Sequence, residues 1–338
     1  MTQLPLMLSI LEPLNILFGK LISLIYSLVA NYGITLIIFG IITKAILIPL
    51  FIKSQKSMLK QQAFTDEVNE IKRRHPDMQT QNQLVQELYK TNGISMGTGC
   101  LTSLIPLILI FPMFTIARNP LQYIAGVSGE NIAKITEYLQ SINILDAKGA
   151  SYIVNTSDIN LLNILRNNAQ ALSHAVQQGW MRVDQMLDLN FVGIDLGATP
   201  SWHPSNLFGD NSIYYLSLLI LPVICMLTLV FQMRISNRSM MSNQISKEEK
   251  ERESNNPAKA GQTPKDQGAS MMKTMTWMMP IFMLWTMFVV PSALGLYYVV
   301  SNVVGIVQAI IIYRFYTQPF RKFMAEQKAA KLVKRRRA

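Results

Sequence analysis

Residues 34–51 form an apolar run long enough to cross a bilayer, and one charge, Lys44, sits near its middle. A lone cation at that depth costs about 2.5–3.5 kcal/mol on insertion scales. At the rise of a helix, Lys44 lies roughly 13 Å from the flanking Lys53, further than a lysine side chain easily snorkels. Its ammonium therefore needs a buried carboxylate partner or access to water.

The rest of the chain has the same character. Half of its 338 residues are hydrophobic and only 15% are charged, which predicts an all-α, polytopic membrane protein. Five spans are expected, over residues 32–53, 98–117, 213–234, 270–290 and 293–314. Pro106 and Pro112 interrupt the second, which a helix bundle tolerates. Residues 1–31 are apolar but broken by Glu12-Pro13 and Gly19-Lys20, and predict an uncleaved amphipathic helix on the outer surface. The alternative, an extra span from about Leu14 to Ala30, falls short of the ~20 residues that crossing requires. Residues 54–97 predict a helical hairpin. Met58, Phe64, Val68 and Ile71 recur at helical spacing, His75-Pro76-Asp77 forms the stop, and Leu84, Val85 and Leu88 resume the pattern. Residues 118–212 read as a long polar stretch with helical patterns near 131–145 and 158–187. Residues 235–269 form a linker rich in Lys, Glu, Asn and Pro, and 315–338 form a basic tail.

Charge fixes the orientation. Seven Lys/Arg lie from Lys53 to Lys90, eight from Arg234 to Lys273 and nine from Arg314 onward. The turn between the last two spans has none, and residues 118–211 have five against eight Asp/Glu. Threading five spans then puts hairpin, linker and tail in the cytoplasm, with the N-terminus and the long polar stretch outside.

No Asp or Glu lies within the five spans, so Lys44 finds no counter-ion there, and water is the expected partner. Thr102, Ser103, Thr228, Gln232 and Gln308 fall in the cytoplasmic halves of the spans. Ser217, Cys225, Thr228 and Gln232 share one face of the third span, and Ser301, Gly305 and Gln308 one face of the fifth. Hydrogen bonding between helices explains such residues singly. Together with an unpaired cation they predict a hydrophilic groove open to the cytoplasm, suited to a passing carboxylate-bearing peptide. Met275, Met278 and Met279 belong to a methionine-rich fourth span that suits varied apolar guests, or packs ordinarily against lipid. Lys334, Arg335, Arg336 and Arg337 suit anionic lipid or ribosomal RNA.

Cys100 and Cys225 both sit in apolar segments and read as core residues. His75, His174 and His203 are scattered. No phosphate loop or metal-binding motif is found, so no cofactor and no enzymatic activity are expected. A small-anion transporter or channel is the competing class. Paired intramembrane charges or internal repeats would mark it, and the sequence has neither.

Several stretches occur in an order that resembles the YidC family of membrane-protein insertases. They are Tyr32-Gly33 before the Lys44 span, with Ile48-Pro49-Leu50; Gly99-Cys100-Leu101; Asn119-Pro120-Leu121; Gly193-Ile194-Asp195-Leu196; and Pro291 through Leu296-Tyr297-Tyr298 to Ser301-Asn302. The likeness covers about residues 15–316 and is to short members without a large periplasmic domain. It implies a five-helix bundle with a cationic groove closed to the outside, a substrate-recruiting hairpin and a ribosome-contacting tail. It further implies a monomeric insertase and folding chaperone of the bacterial plasma membrane, acting on nascent membrane proteins alone or beside the Sec translocon. By position, Lys44 takes the place of the family's groove arginine, offering a point charge instead of a bidentate fork. Where many members carry Gln followed two residues later by Pro in the second span, this chain has Pro106 and Ile108.

Overall fold

A computed structural model describes residues 4–75, 77–94, 109–239, 278, 280–320, 322, 323 and 326. Among them, four helices contain stretches long and apolar enough to cross a membrane: Glu12–Val29, Tyr32–Gln61, Ser212–Ser236 and Ser292–Phe320. A shorter apolar helix covers Leu109–Arg118. The molecule is a polytopic helical protein. Residues 98–108 of the expected second span, and 270–277 and 279 of the fourth, lie outside the described residues, as do 240–269 of the linker. The chain divides into two compact units. One comprises Met1–Thr43, Pro106–Thr228 and Met278–Ser301; the other comprises Lys44–Ile105, Leu229–Trp277 and Asn302–Ala338.

In the first unit, helix α1 (Leu4–Val29) buries Asn15, Gly19, Ile22 and Ile25 along one stripe and exposes Leu17, Leu24 and Leu28 on the other side. Both ends of the stripe are tied to the stretch 118–212. The Tyr123 hydroxyl donates to the Glu12 carboxylate at 3.1 Å, and the Asp188 amide donates to the Tyr26 hydroxyl at 2.9 Å. Glu12 and Tyr26 lie about 21 Å apart along the helix. By length and composition Glu12–Val29 suffices to cross a membrane. Both of its ties run to the same stretch, 118–212.

The stretch 118–212 is more ordered than its sequence suggests. It folds into helices Gly129–Ser141, Ala147–Asn155, Ile159–Asn167 and Ala169–Gln177. Three start on a capping side chain. Ser128 accepts from the Asn131 amide, Asp146 from Gly149 and Asn168 from Ala171. Ile135, Leu139, Leu161, Leu162 and Leu165 form their buried seam. A two-stranded ribbon follows, Asn190–Phe191 pairing antiparallel with Ile194–Asp195. Its two central residues, Val192 and Gly193, both have positive φ (51° and 79°), as a two-residue turn matched to the strand twist requires.

This stretch also binds the ends of three apolar helices. The Asn31 amide donates to Asn190 O at 3.3 Å, and the Tyr32 amide to Asp188 O at 3.3 Å. Gly33 lies directly under the Phe191 ring, where a Cβ would clash. At the start of the last helix, Ser292 gives both amide and hydroxyl to Ala198 O, each at 2.8 Å, and the Ala293 amide bonds Leu196 O at 2.9 Å. At the end of the Leu109–Arg118 helix the binding residue is Asp158. Its carboxylate accepts from the Leu121 amide (3.1 Å) and the Gln122 amide (2.9 Å), and Ser157 Oγ donates to Arg118 O at 2.8 Å.

The second unit holds the hairpin expected from the sequence. Helix α2 (Tyr32–Ala63) continues ten residues past the expected end of the first span, so that span and the base of the hairpin are one rod. After Phe64 come α3 (Thr65–Arg74) and α4 (Met78–Thr91), with Asp77 capping α4 through the Thr80 amide at 2.8 Å. The base of the hairpin packs on the end of the last helix. There Ser292–Ile312 passes into a π-helical turn, Tyr313–Thr317, and the Lys56 ammonium lies 4.7 Å from the Tyr316 ring centroid.

Asp158 generates a prediction. Burial pushes its carboxyl up to about 7, against the pull of its two amide donors. The folded state then holds the proton more tightly than the unfolded chain. Stability is greatest below the ordinary carboxyl value and declines as pH rises towards 7. Thermal unfolding in detergent between pH 4 and 8 should show this decline, and Asp158→Asn should flatten it. Asp158→Ala strands the amides and should cost about 1–3 kcal/mol for each one left unpaired.

Candidate functional site

The α2 rod carries Lys44 at about 18 Å from Tyr32, mid-depth for a bilayer core of about 30 Å. Lys44 is half-buried. Among the described residues no carboxylate lies within 4 Å of its ammonium; the ion pairs there are Arg74–Glu70, Lys134–Glu130 and Arg182–Asp184. What the ammonium faces is the Phe51 ring, 5.9 Å away at its centroid and two turns along the same helix. This contact is at the outer range of a cation–π interaction and is too weak to offset a membrane-depth charge. The alternative of a structural ion pair therefore has no support among the described residues.

The polar residues expected near Lys44 meet different fates. Thr228 belongs to the first unit, whereas Lys44, Gln232 and Gln308 belong to the second. The Thr228 hydroxyl donates back to its own helix, at 2.8 Å from Ile224 O and 2.9 Å from Cys225 O. Ser217 does the same to Tyr214 O at 2.7 Å. The protons of these two hydroxyls are used locally. Gln232 is brought to the fifth-span face the sequence marked out. Its side-chain amide fills the notch at Gly305, one turn before the half-buried Gln308. Met278 is exposed. Thr102, Ser103, Met275, Met279, Lys334, Arg335, Arg336 and Arg337 lie outside the described residues.

Two residues with local roles escaped the sequence reading. Asp158 stands where a cap for its own helix would stand, but its carboxylate caps Pro120–Tyr123 instead. Arg118 ends the second-span helix with its guanidinium 4.4 Å from the Phe114 ring centroid and one N–H on Val289 O at 2.9 Å. Its only sequence signal was a basic residue closing an apolar run.

A multi-pass helical membrane protein is what the fold defines, and one of its long apolar helices carries a cation that no carboxylate reaches among the described residues. The model of the family described as 60Kd inner membrane protein matches residues 24–319, and the chain belongs to that family. Its relatives include the membrane protein insertase YidC of Caldanaerobacter subterraneus subsp. tengcongensis, 34% identical over 102 residues, which are 30% of this chain and 50% of that one. The same-named protein of Fusobacterium nucleatum is 36% identical over 92 residues (27% and 45%), and that of Chlorobaculum parvum 25% over 282 residues (83% and 32%). The aligned part spans half or less of each of these relatives.

The two tight glycines separate a rigid neighbour from a flexible one. A Cβ at Gly33 meets the Phe191 ring and its Cβ, which the ribbon holds; a Cβ at Gly305 meets only the far end of Gln232. Gly33→Ala should cost about 1–3 kcal/mol by overpacking. Gly305→Ala should cost clearly less, because the glutamine can swing away. Thermal unfolding of the two purified variants side by side checks the order.

Proposed function

We propose that this chain inserts nascent proteins into the bacterial membrane and assists their folding there. The reading rests on one observation: Lys44 is a membrane-depth cation with no carboxylate within reach among the described residues. Family membership and the printed function of the relatives agree with it. The ammonium keeps its charge because water enters from the cytoplasm, and it attracts the acidic segment of an arriving polypeptide. Attraction between unit charges at 4 Å, about 4 kcal/mol at an intermediate dielectric, is enough to hold such a segment transiently. Lys44, Gln232 and Gln308, all of the second unit, are the groove residues this reading draws on. Met275, Met278 and Met279 give the guest's apolar helix a deformable surface on its way to lipid.

In the same reading the N-terminus is outside and the C-terminus in the cytoplasm. Residues 118–212 close the outer side, which suits a groove that lets helices leave sideways rather than solutes leave outward. No covalent chemistry is involved. The hairpin receives substrate, and Lys334 to Arg337 meet the ribosome or anionic lipid. The protein works as a monomer, alone or beside the Sec translocon.

Two experiments test this. In cells depleted of their own insertase, Lys44→Glu should reduce insertion of a substrate with an acidic translocated tail by at least about fivefold, the effect of roughly 1 kcal/mol. Lys44→Arg should retain it. Undiminished insertion by the Glu variant would remove the groove mechanism, and flux of small anions through proteoliposomes would favour a transporter. Truncation after Thr317 should reduce co-sedimentation with ribosomes, and the wild-type association should weaken steeply with salt. Unchanged co-sedimentation would strip the tail of that role.

A further inference from the structure

The first unit contains a second polar site, unrelated to Lys44. A cavity of about 320 Å³ opens between the end of the Leu109–Arg118 helix, the helix Ile159–Asn167, and the segments 197–199 and 289–291. Its lining includes Arg118, Asn160, Asn163, Thr199 and Tyr152. Arg118 contributes the only charge in that lining. Its guanidinium is steadied from two sides, by the Phe114 ring and by Val289 O, which takes one of its five N–H groups. The acids of the neighbouring segments are not in the lining and already accept from other donors. Asp158 accepts from the amides of Leu121 and Gln122, and Asp195 accepts from the Gly197 amide at 2.9 Å and the Tyr214 hydroxyl at 3.3 Å.

We propose that this cavity binds a phosphate-bearing polar group, with Arg118 on the phosphate oxygens and Asn160, Asn163 and Thr199 on the remaining acceptors. A fixed guanidinium with amide and hydroxyl side chains around it, and no carboxylate to compete, matches the planar, multi-donor recognition of phosphate. Its level in the molecule points to the source. Arg118 closes one apolar helix, and Val289 and Pro291 lie at the turn into the last span, so the cavity sits where headgroups lie. An outer-leaflet phospholipid is the expected occupant. This placement depends on the membrane threading proposed above and not on the Lys44 groove.

The test uses the full chain in liposomes of phosphatidylglycerol and phosphatidylcholine carrying a trace of ³²P-labelled phospholipid. A photoreactive benzoylphenylalanine replaces Tyr152, which lines the cavity, or Val154, which is exposed but not part of the lining. Irradiation should give a labelled lipid adduct at 152 well above that at 154. Arg118→Gln should reduce it roughly tenfold, the loss expected with a charge-assisted hydrogen bond. Asn160→Ala, at an exposed position, should reduce it without disturbing the fold, and far-UV circular dichroism verifies the fold of both variants. Soluble glycerol phosphate distinguishes the source. If it does not suppress the adduct, a lipid headgroup is the ligand; if millimolar glycerol phosphate abolishes the adduct, the phosphate site stands and its ligand is a soluble ester. Equal labelling at 152 and 154, or labelling at 152 that neither substitution changes, overturns the proposal. Insertion activity does not enter the readout, so failure here and failure of the Lys44 groove are told apart.

Discussion

A membrane span must satisfy its backbone polar groups where it leaves lipid, and here that requirement is met by one folded layer. Residues 118–212 supply partners to the start of the first span, the end of the second and the start of the fifth. The bonds are mostly main chain to main chain or carboxylate to main chain, in places where a bare amide would be expensive. The contacts also constrain one another. Gly33 must be glycine because Phe191 covers it, and Phe191 is fixed by a ribbon whose turn needs two left-handed residues. These helix ends are therefore held by geometry.

Several stretches that carry the family resemblance meet in this layer. Tyr32-Gly33 lies against the ribbon containing Gly193-Ile194-Asp195-Leu196; Asn119-Pro120-Leu121 receives Asp158; and Ser292, just after Pro291, bonds Ala198 O. In sequence they are short and far apart, Tyr32-Gly33 lying about 160 residues before the ribbon, so each is weak as a signal. In space they belong to one closure. Their order along the chain is informative because each marks a point where the chain crosses the same surface.

The long apolar helices were legible because apolar runs survive averaging over twenty residues. Lys44 was legible for the opposite reason, as a single violation of that average. The two polar faces that meet at Gln232 and Gly305 were also visible as periodic marks on separate helices. The stretch 118–212 was not legible in the same way. Its helices are nine to thirteen residues long, too short to show their pattern clearly, and Ala147–Asn155 carries an internal Gly149. Asp158 was hidden by a different effect: its position announces a cap for the helix that follows, while tertiary packing sends its carboxylate thirty-seven residues back along the chain. Local rules identify a capping residue, but only the fold says which helix it caps.

The contrast between the two arginine-class positions completes the physical picture. Arg118 is at the surface level and is steadied by an aromatic ring and a carbonyl, so its charge costs little and its direction is fixed. Lys44 lies within a long apolar helix, half-buried, and among the described residues no carboxylate reaches its ammonium. A charge that is cheap and aimed suits a resident ligand. A charge that is costly and left without a fixed partner suits a visitor, because any permanent partner would quench the attraction that makes it useful. A lysine serves that second purpose better than its point-like ammonium might suggest. Without a planar fork to satisfy, an ammonium can donate to a carboxylate from many directions, which the proposed passage of varied polypeptides would use.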